Sequence, residues 1–367
     1  MNGTKPPYKV PSMAEIAAIP WNGYNVVSTF SGGGGSCLGY RMAGYHVLWA
    51  NEFVEEAQKT YRANHPDTYL DTRDIRDVTP EDILEQTGLK KGQLDLFDGS
   101  PPCCAFSTAG KREKSWGQKR DYSDGKKQQI ETLFYEYIRL LRCLQPKVFI
   151  AENVSGLIKG KAIGYFKIFL NEMKSAGYNA KAQLLNSKWL GVPQARERVI
   201  FMGVRKDLNM KPVYPTPLPY YYTVGDAISD VVNDPEELNL RYEVMERTKM
   251  GQIVKKLKRN PPKPIKGSSV MNGSWFNLTR ESMKHPCSTI CQASGAYSTA
   301  GNIHPIEDRK FTIPEIKRLT SLPDDFILTG DLQQQWERVG RMVPPIMMMH
   351  IAKTVQTEIL DKLKEGV

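Results

Sequence analysis

Between residues 25 and 205 the chain alternates short apolar runs with longer amphipathic stretches, and this rhythm constrains the fold more than any other feature. "NVVSTF" (25–30), "HVLWANEF" (46–53), "LDLFDGS" (94–100), "PKVFIAEN" (146–153) and "RVIFMGV" (198–204) read as strands. "EEAQKTYRANH", "IETLFYEYIRLLRCL" and "GYFKIFLNEMKSAG" between them carry helical spacing. Strands separated by helices predict an α/β fold, a doubly wound and mostly parallel sheet. After Arg205 the rhythm stops. "KPVYPTPLPYYYTVGDAI" is rich in proline and tyrosine, and apolar periodicity resumes only from "FTIPEIKRLTSLPDDF" (311–326) to "PPIMMMHIAKTVQTEILDKLK" (344–364). At 367 residues the chain exceeds what one core normally fills. The expected division is an extension over 1–22, a large α/β domain over 23–206, a small inserted lobe over 207–284, and a return to the large domain over 285–367.

Charge points to a partner. The net charge is +10, and residues 241–267 hold nine Lys/Arg against Glu243 and Glu246. Clustered cations release counterions when they meet phosphates, so a polyanion is expected there. No apolar run approaches the roughly 18 residues of a membrane span, and the amino terminus lacks the apolar core of a secretory signal. A cytoplasmic protein with no membrane partner is expected, its six cysteines free thiols. No C-x2-C pair occurs and the five histidines do not cluster around the cysteines, so no metal site is expected.

Two motifs carry chemistry. "FSGGGGSCLGYRMAG" (30–44) follows the first strand, where glycines let the backbone approach a ligand that any Cβ would repel. Glu52, at the end of the second strand, suits a ribose, and Asp74 suits an adenine amino group. The loop lacks the Lys-Ser/Thr ending of a triphosphate-binding loop. The second motif is "GSPPCCAFS" (99–107). Pro101 and Pro102 stiffen the end of a strand, where open α/β sheets place their sites, and so present a thiol there.

"GSPPCCAFS" with "FSGGGG", "ENV" (152–154), "QARER" (194–198) and "VGRMVPP" (339–345) resembles the DNA cytosine-5 methyltransferases of bacterial and phage type, in order and at family-like distances. The resemblance covers about residues 25–205 and 285–360 and leaves the basic lobe unmatched. It implies S-adenosylmethionine as cofactor, held by Phe30, Ser31, Gly32, Gly33, Gly34, Glu52, Asp74, Ile75, Pro102, Leu133, Arg341 and Met342. It also implies Cys103 as the nucleophile adding to C6 of a cytosine flipped out of duplex DNA, with Glu152 supplying a proton or hydrogen bond at N3. Arg196 and Arg198, two apart on what reads as a strand, are expected on one face, gripping the base. Ser107, Gln194, Lys255, Lys256 and Arg259 are expected at the substrate. The polar run "STAGKREKSWGQKRDYSDGKK" is expected to close on DNA, and the enzyme to act as a monomer.

Two departures stand out. Cys104 occupies the place where most members carry glutamine, which removes an amide and opens space near the base. Arg341 replaces the usual asparagine near the cofactor. A guanidinium there suits an extra carboxylate, which raises carboxy-S-adenosylmethionine as a donor and 5-carboxymethylcytosine as product. A tRNA methyltransferase and a non-catalytic DNA-binding relative are the other readings. The basic lobe favours DNA, and the intact catalytic residues favour an enzyme.

Overall fold

A computed structural model describes residues 5–102, 120–121, 127–128, 132–271, 277–295 and 298–366. Its centre is a seven-stranded sheet of β1 (Asn25–Thr29), β2 (His46–Asn51), β3 (Tyr69–Asp71), β4 (Leu96–Gly99), β5 (Val148–Val154), β6 (Tyr178–Asn186) and β7 (Glu197–Arg205), ordered β3-β2-β1-β4-β5-β7-β6. The pairs β3/β2, β2/β1, β1/β4 and β4/β5 are parallel, and β7 runs antiparallel to β5. The doubly wound reading therefore holds. The five runs read as strands each contain one, while β3 and β6 were not anticipated. β3 spans three residues, and three of the nine residues of β6 are exposed, so neither has the continuous apolar run of a buried strand.

The strands are buried because helices cover them. The helix Leu133–Leu144 turns Leu133, Phe134, Tyr137, Ile138, Leu140, Leu141 and Leu144 inward, an i, i+4, i+7 stripe. Phe134 stacks on Phe169 of the helix Ile163–Ser175 with ring centroids 3.7 Å apart. Between β1 and β4 the chain order reverses, since it has wound outward through β2 and β3 before returning. Such a switch point opens a crevice at the carboxyl ends of the strands.

Contacts divide the chain into two compact units. One holds Ala18–Leu185, Glu197–Thr216 and Met348–Val367, and so contains the sheet. The other holds Met1–Ala17, Asn186–Arg196 and Pro217–Met347. This division falls elsewhere than expected: residues 285–347 group with the basic segment, and the return to the sheet unit comes at Met348. The reason is burial. Val244, Met245, Met250, Ile253 and Val254 share a core with Leu278 and Ile303, so the basic segment has no closed core of its own. The amino-terminal segment joins the same unit, where Tyr8 donates to the Arg318 carbonyl at 2.7 Å and Lys5 pairs with Asp226 at 2.7 Å. None of the described helices is long and apolar enough to cross a membrane.

Candidate active site

Four of the expected site segments lie at the carboxyl ends of adjacent parallel strands. Phe30–Gly34 follows β1, Glu52 follows β2, Pro101 and Pro102 follow β4, and Glu152 lies near the end of β5. The turn after β1 is held in a conformation most residues avoid. Phe30 has φ +55°, Gly32 +57° and Gly34 +91°. A Cβ on Gly34 would lie 2.2 Å from Nε2 of His65, so only glycine fits. A Cβ on Gly32 would meet nothing within 4 Å, so the loop is open there.

Glu52 stitches this turn together. Its Oε2 accepts from the Gly32 N–H at 2.8 Å and its Oε1 from the Val54 N–H at 2.7 Å. An ionised carboxylate has about four lone-pair sites, so it keeps capacity for ribose hydroxyls. Asp74 accepts from the Arg76 N–H at 3.1 Å and pairs with the Arg76 guanidinium at 3.0 Å, while Ile75 and Leu133 are buried. The open cradle at Gly32, with an acceptor beside it, fits a nucleoside cofactor such as S-adenosylmethionine.

Pro102 continues directly into Cys103. Cys103, Cys104 and Ser107 lie outside the described residues, as does the polar run that follows (residues 120, 121 and 127 excepted). The approach to Cys103 is fixed by Asn153, whose Nδ2 donates to the Pro101 carbonyl at 3.2 Å. Position 99, the last of β4, is held to glycine because a Cβ there would lie 2.6 Å from Thr29 Oγ1 and from the Tyr137 ring. Asn153 was not anticipated, although it sits inside the quoted "ENV".

Glu152 forms an ion pair with Arg198 of β7. Register explains the meeting: Arg198 lies opposite Val154, so Glu152 is its diagonal neighbour on the same face. Arg198 Nη1 also donates to the Glu197 carbonyl at 2.7 Å, which holds the guanidinium in place.

The expectation that Arg196 and Arg198 share one strand face is corrected. β7 begins at Glu197, and Arg196 belongs to the other unit. There it is 1% exposed and donates to the carbonyls of Ile290 at 3.0 Å and Gly340 at 2.9 Å. Gln194, expected at the substrate, is fully buried. Its amide donates to Leu319 O and Thr320 Oγ1 at 3.3 and 3.2 Å, and its Oε1 accepts from the Ile290 N–H at 3.2 Å. Both side chains are occupied in tying backbone segments together. Arg341 pairs with Glu337 one turn earlier on its helix, Glu337 also lies 3.2 Å from Arg338, and Met342 is buried. Lys255, Lys256 and Arg259 are exposed, with Arg259 paired to Asp308 at 2.5 Å. One cation counted in the basic run is interior: Arg241 is 1% exposed and paired with Glu237.

With this geometry in place, comparison with known proteins decides the family. The family model for C-5 cytosine-specific DNA methylase matches residues 24–357. The chain belongs to that family. The methylase is 31% identical over 343 residues to the Type II methyltransferase M1.HphI of Haemophilus parahaemolyticus, covering 90% of this chain and 86% of that one. It is also 31% identical over 363 residues to the Type II methyltransferase M.Sau96I of Staphylococcus aureus, covering 95% and 79%. Among solved structures, a triple mutant of Spodoptera frugiperda DNMT2 superposes with TM-score 0.62 at 17% identity, covering 93% of this chain and 99% of that one. Dnmt2 methyltransferase of S. pombe gives TM-score 0.57 at 17% identity over 92% and 99%. At these identities the structures bear on the fold alone. The methylase therefore modifies C5 of cytosine in DNA.

Asp98 is a site feature that the sequence reading passed over, though it stands inside "LFDGS". It lies on β4, is 1% exposed, and accepts from Ser28 Oγ at 2.8 Å and from the Tyr40 hydroxyl at 2.9 Å. Burial pushes its carboxyl up to about 7. The available signal was an ionisable residue in the middle of a run otherwise apolar enough to be a buried strand.

Proposed function

We propose that Cys103 attacks C6 of a cytosine extruded from double-stranded DNA, with Glu152 as its acid at N3. The observation that carries this reading is the Glu152–Arg198 ion pair at the active edge of the sheet, next to the strand that leads into Pro101, Pro102 and Cys103. S-adenosylmethionine, when bound in the cradle of Phe30–Gly34 and Glu52, supplies a methyl group made electrophilic by its sulfonium charge. Addition of the Cys103 thiolate to C6 places electron density on N3, where Glu152 delivers a proton. That addition makes C5 nucleophilic enough to accept the methyl. Loss of the C5 proton to a base then expels the thiolate, and return of the N3 proton to Glu152 restores the aromatic ring. Arg198 holds the Glu152 carboxyl in position, while Arg196 and Gln194 tie together backbone segments of their own unit rather than gripping the base.

The exposed Lys255 and Lys256 bind phosphates. The methylase works as a monomer in DNA modification, a reading supported by the Type II methyltransferase names of its relatives. As for the donor, the Arg341 guanidinium already has a carboxylate partner in Glu337, which supports ordinary S-adenosylmethionine over its carboxylated form.

A duplex carrying 5-fluorocytosine tests the mechanism. With S-adenosylmethionine present it is expected to become covalently trapped, and digestion followed by mass spectrometry to place the bond on Cys103. Absence of trapping, or attachment at Cys104, overturns the assignment. Weighing the modified nucleoside after incubation with each donor decides between methyl and carboxymethyl transfer.

A further inference from the structure

We propose that Asp98 is a charge-sensing residue beneath the cofactor loop, favouring the cationic methyl donor over its neutral product. The inference rests on the reading of Phe30–Gly34 as the donor's cradle. Asp98 reaches that cradle through hydroxyls alone. Ser28 Oγ donates to the Asp98 carboxylate, and Ser31 Oγ, in the cradle itself, donates onward to Ser28 Oγ at 3.1 Å and to the Ser28 carbonyl at 3.2 Å. The Ser31 N–H in turn donates to the Asn51 carbonyl at 3.0 Å at the end of β2. The carboxylate is thus linked to the backbone turn that cradles the donor.

What Asp98 lacks is a cation. Among the described residues no Lys, Arg or His forms an ion pair with it. The titratable groups facing it are Cys37 and Tyr40 from the helix Gly35–Met42, Tyr137 from the helix Leu133–Leu144, and Glu152 from β5. Each of these is neutral or negative. A buried carboxylate with only neutral donors and no ion-paired cation among the described residues is costly, and an apolar residue would satisfy a structural role at this strand position with less penalty. The reaction itself brings a cation to this loop, because the methyl donor is a sulfonium and the demethylated product is an uncharged sulfide.

The two charge states then exchange one proton per cycle. In the empty enzyme burial holds a proton on Asp98 near neutral pH. When the sulfonium arrives, the Asp98 O–H bond breaks, its proton passes to solvent, and carboxylate and sulfonium attract through an interior of low dielectric. After methyl transfer the sulfonium charge is gone, Asp98 takes a proton back, and the product loses that attraction.

Isothermal titration calorimetry of S-adenosylmethionine and S-adenosylhomocysteine, from pH 6 to 8 and in buffers of different ionisation enthalpy, tests this. For the wild-type protein the expected result is proton release with the donor but not the product. Donor affinity should rise about tenfold across that range, the change that a shift of one pKa unit allows. Product affinity should stay flat. Asp98→Asn is expected to abolish both the proton release and the pH dependence, and to lower the ratio of donor to product affinity. Tyr40→Phe removes a hydrogen bond that favours the carboxylate, so it is expected to move the donor midpoint to higher pH. Identical pH profiles and proton counts for the two ligands in the wild-type protein overturn the proposal, as does an unchanged affinity ratio in Asp98→Asn. Failure of either ligand to bind at all refutes the cradle reading instead, and 5-fluorocytosine trapping at Cys103 is decided independently.

Discussion

Arg198 of β7 and Glu152 of β5 are diagonal neighbours across an antiparallel pair, and their side chains join in an ion pair, each about one-tenth exposed. On the proposal that Glu152 is the acid and Arg198 its holder, removing the two should differ. Glu152→Gln is expected to lower kcat by 10²- to 10⁴-fold, the usual worth of a positioned general acid, with donor affinity unchanged. Arg198→Ala is expected to lower kcat about 10- to 100-fold and to shift the pH profile, with partial rescue by Arg198→Lys. Steady-state kinetics on duplex DNA checks both. An Arg198→Ala profile that matches wild type in shape would place Arg198 outside the chemistry.

Arg196 stands two residues away and behaves differently. Its guanidinium serves the carbonyls of Ile290 and Gly340 in a fully buried setting. Arg196→Ala leaves both without that donor and is expected to cost about 2 to 5 kcal/mol of stability. Urea denaturation of Arg196→Ala and Arg198→Ala side by side measures the contrast, with the larger loss expected at Arg196.

The two ends of the glycine turn should also separate. Gly34→Ala drives a Cβ into the His65 imidazole, so its loss of stability is expected to exceed the roughly 1 to 2 kcal/mol of a left-handed residue alone. Gly32→Ala meets open space and is expected to fold, paying only the backbone cost, while its methyl group intrudes where the donor would lie. Thermal denaturation, followed by donor titration of whichever variant folds, tests this pair.

Stability should vary with pH through Asp98. In the unfolded chain its carboxyl ionises near 4, whereas burial pushes it up to about 7 in the fold. Between those values the folded state holds a proton that the unfolded state has lost, so stability falls as pH rises across the window. The full effect is on the order of 4 kcal/mol by pH 7, at about 1.36 kcal/mol per unit. Glu281, also pushed up to about 7 by burial, adds a trend of the same sign. The difference between wild type and Asp98→Asn, read from urea midpoints at pH 5, 6, 7 and 8, isolates Asp98. A difference that does not change with pH would contradict the assignment.

On the exposed face of the basic segment, Lys255→Gln and Lys256→Gln are each expected to reduce the slope of log affinity for DNA against log salt by about 0.9, with donor binding untouched. Filter binding at several salt concentrations measures it.

Much of this protein could be read from local pattern. The apolar period separates strands from helices because each element must bury one face, and a positive φ hard against a neighbouring side chain, as at Gly34, demands glycine. So β1, β2, β4, β5 and the turn at Gly32 and Gly34 were legible in the residues, as was the placing of Pro101 and Pro102 at a strand's end. Tertiary structure alone decided which side chains meet. Glu152 and Arg198 lie 46 positions apart and are joined by register. Arg196 looked like a partner of Arg198 by spacing, yet the chain passes between units at that point and its guanidinium is spent on backbone carbonyls. The basic run hid Arg241 inside, and among the described residues no cation forms an ion pair with Asp98. Periodicity reports which face of an element is buried, but the identity of the neighbour on that face depends on contacts between distant segments, which no local pattern encodes.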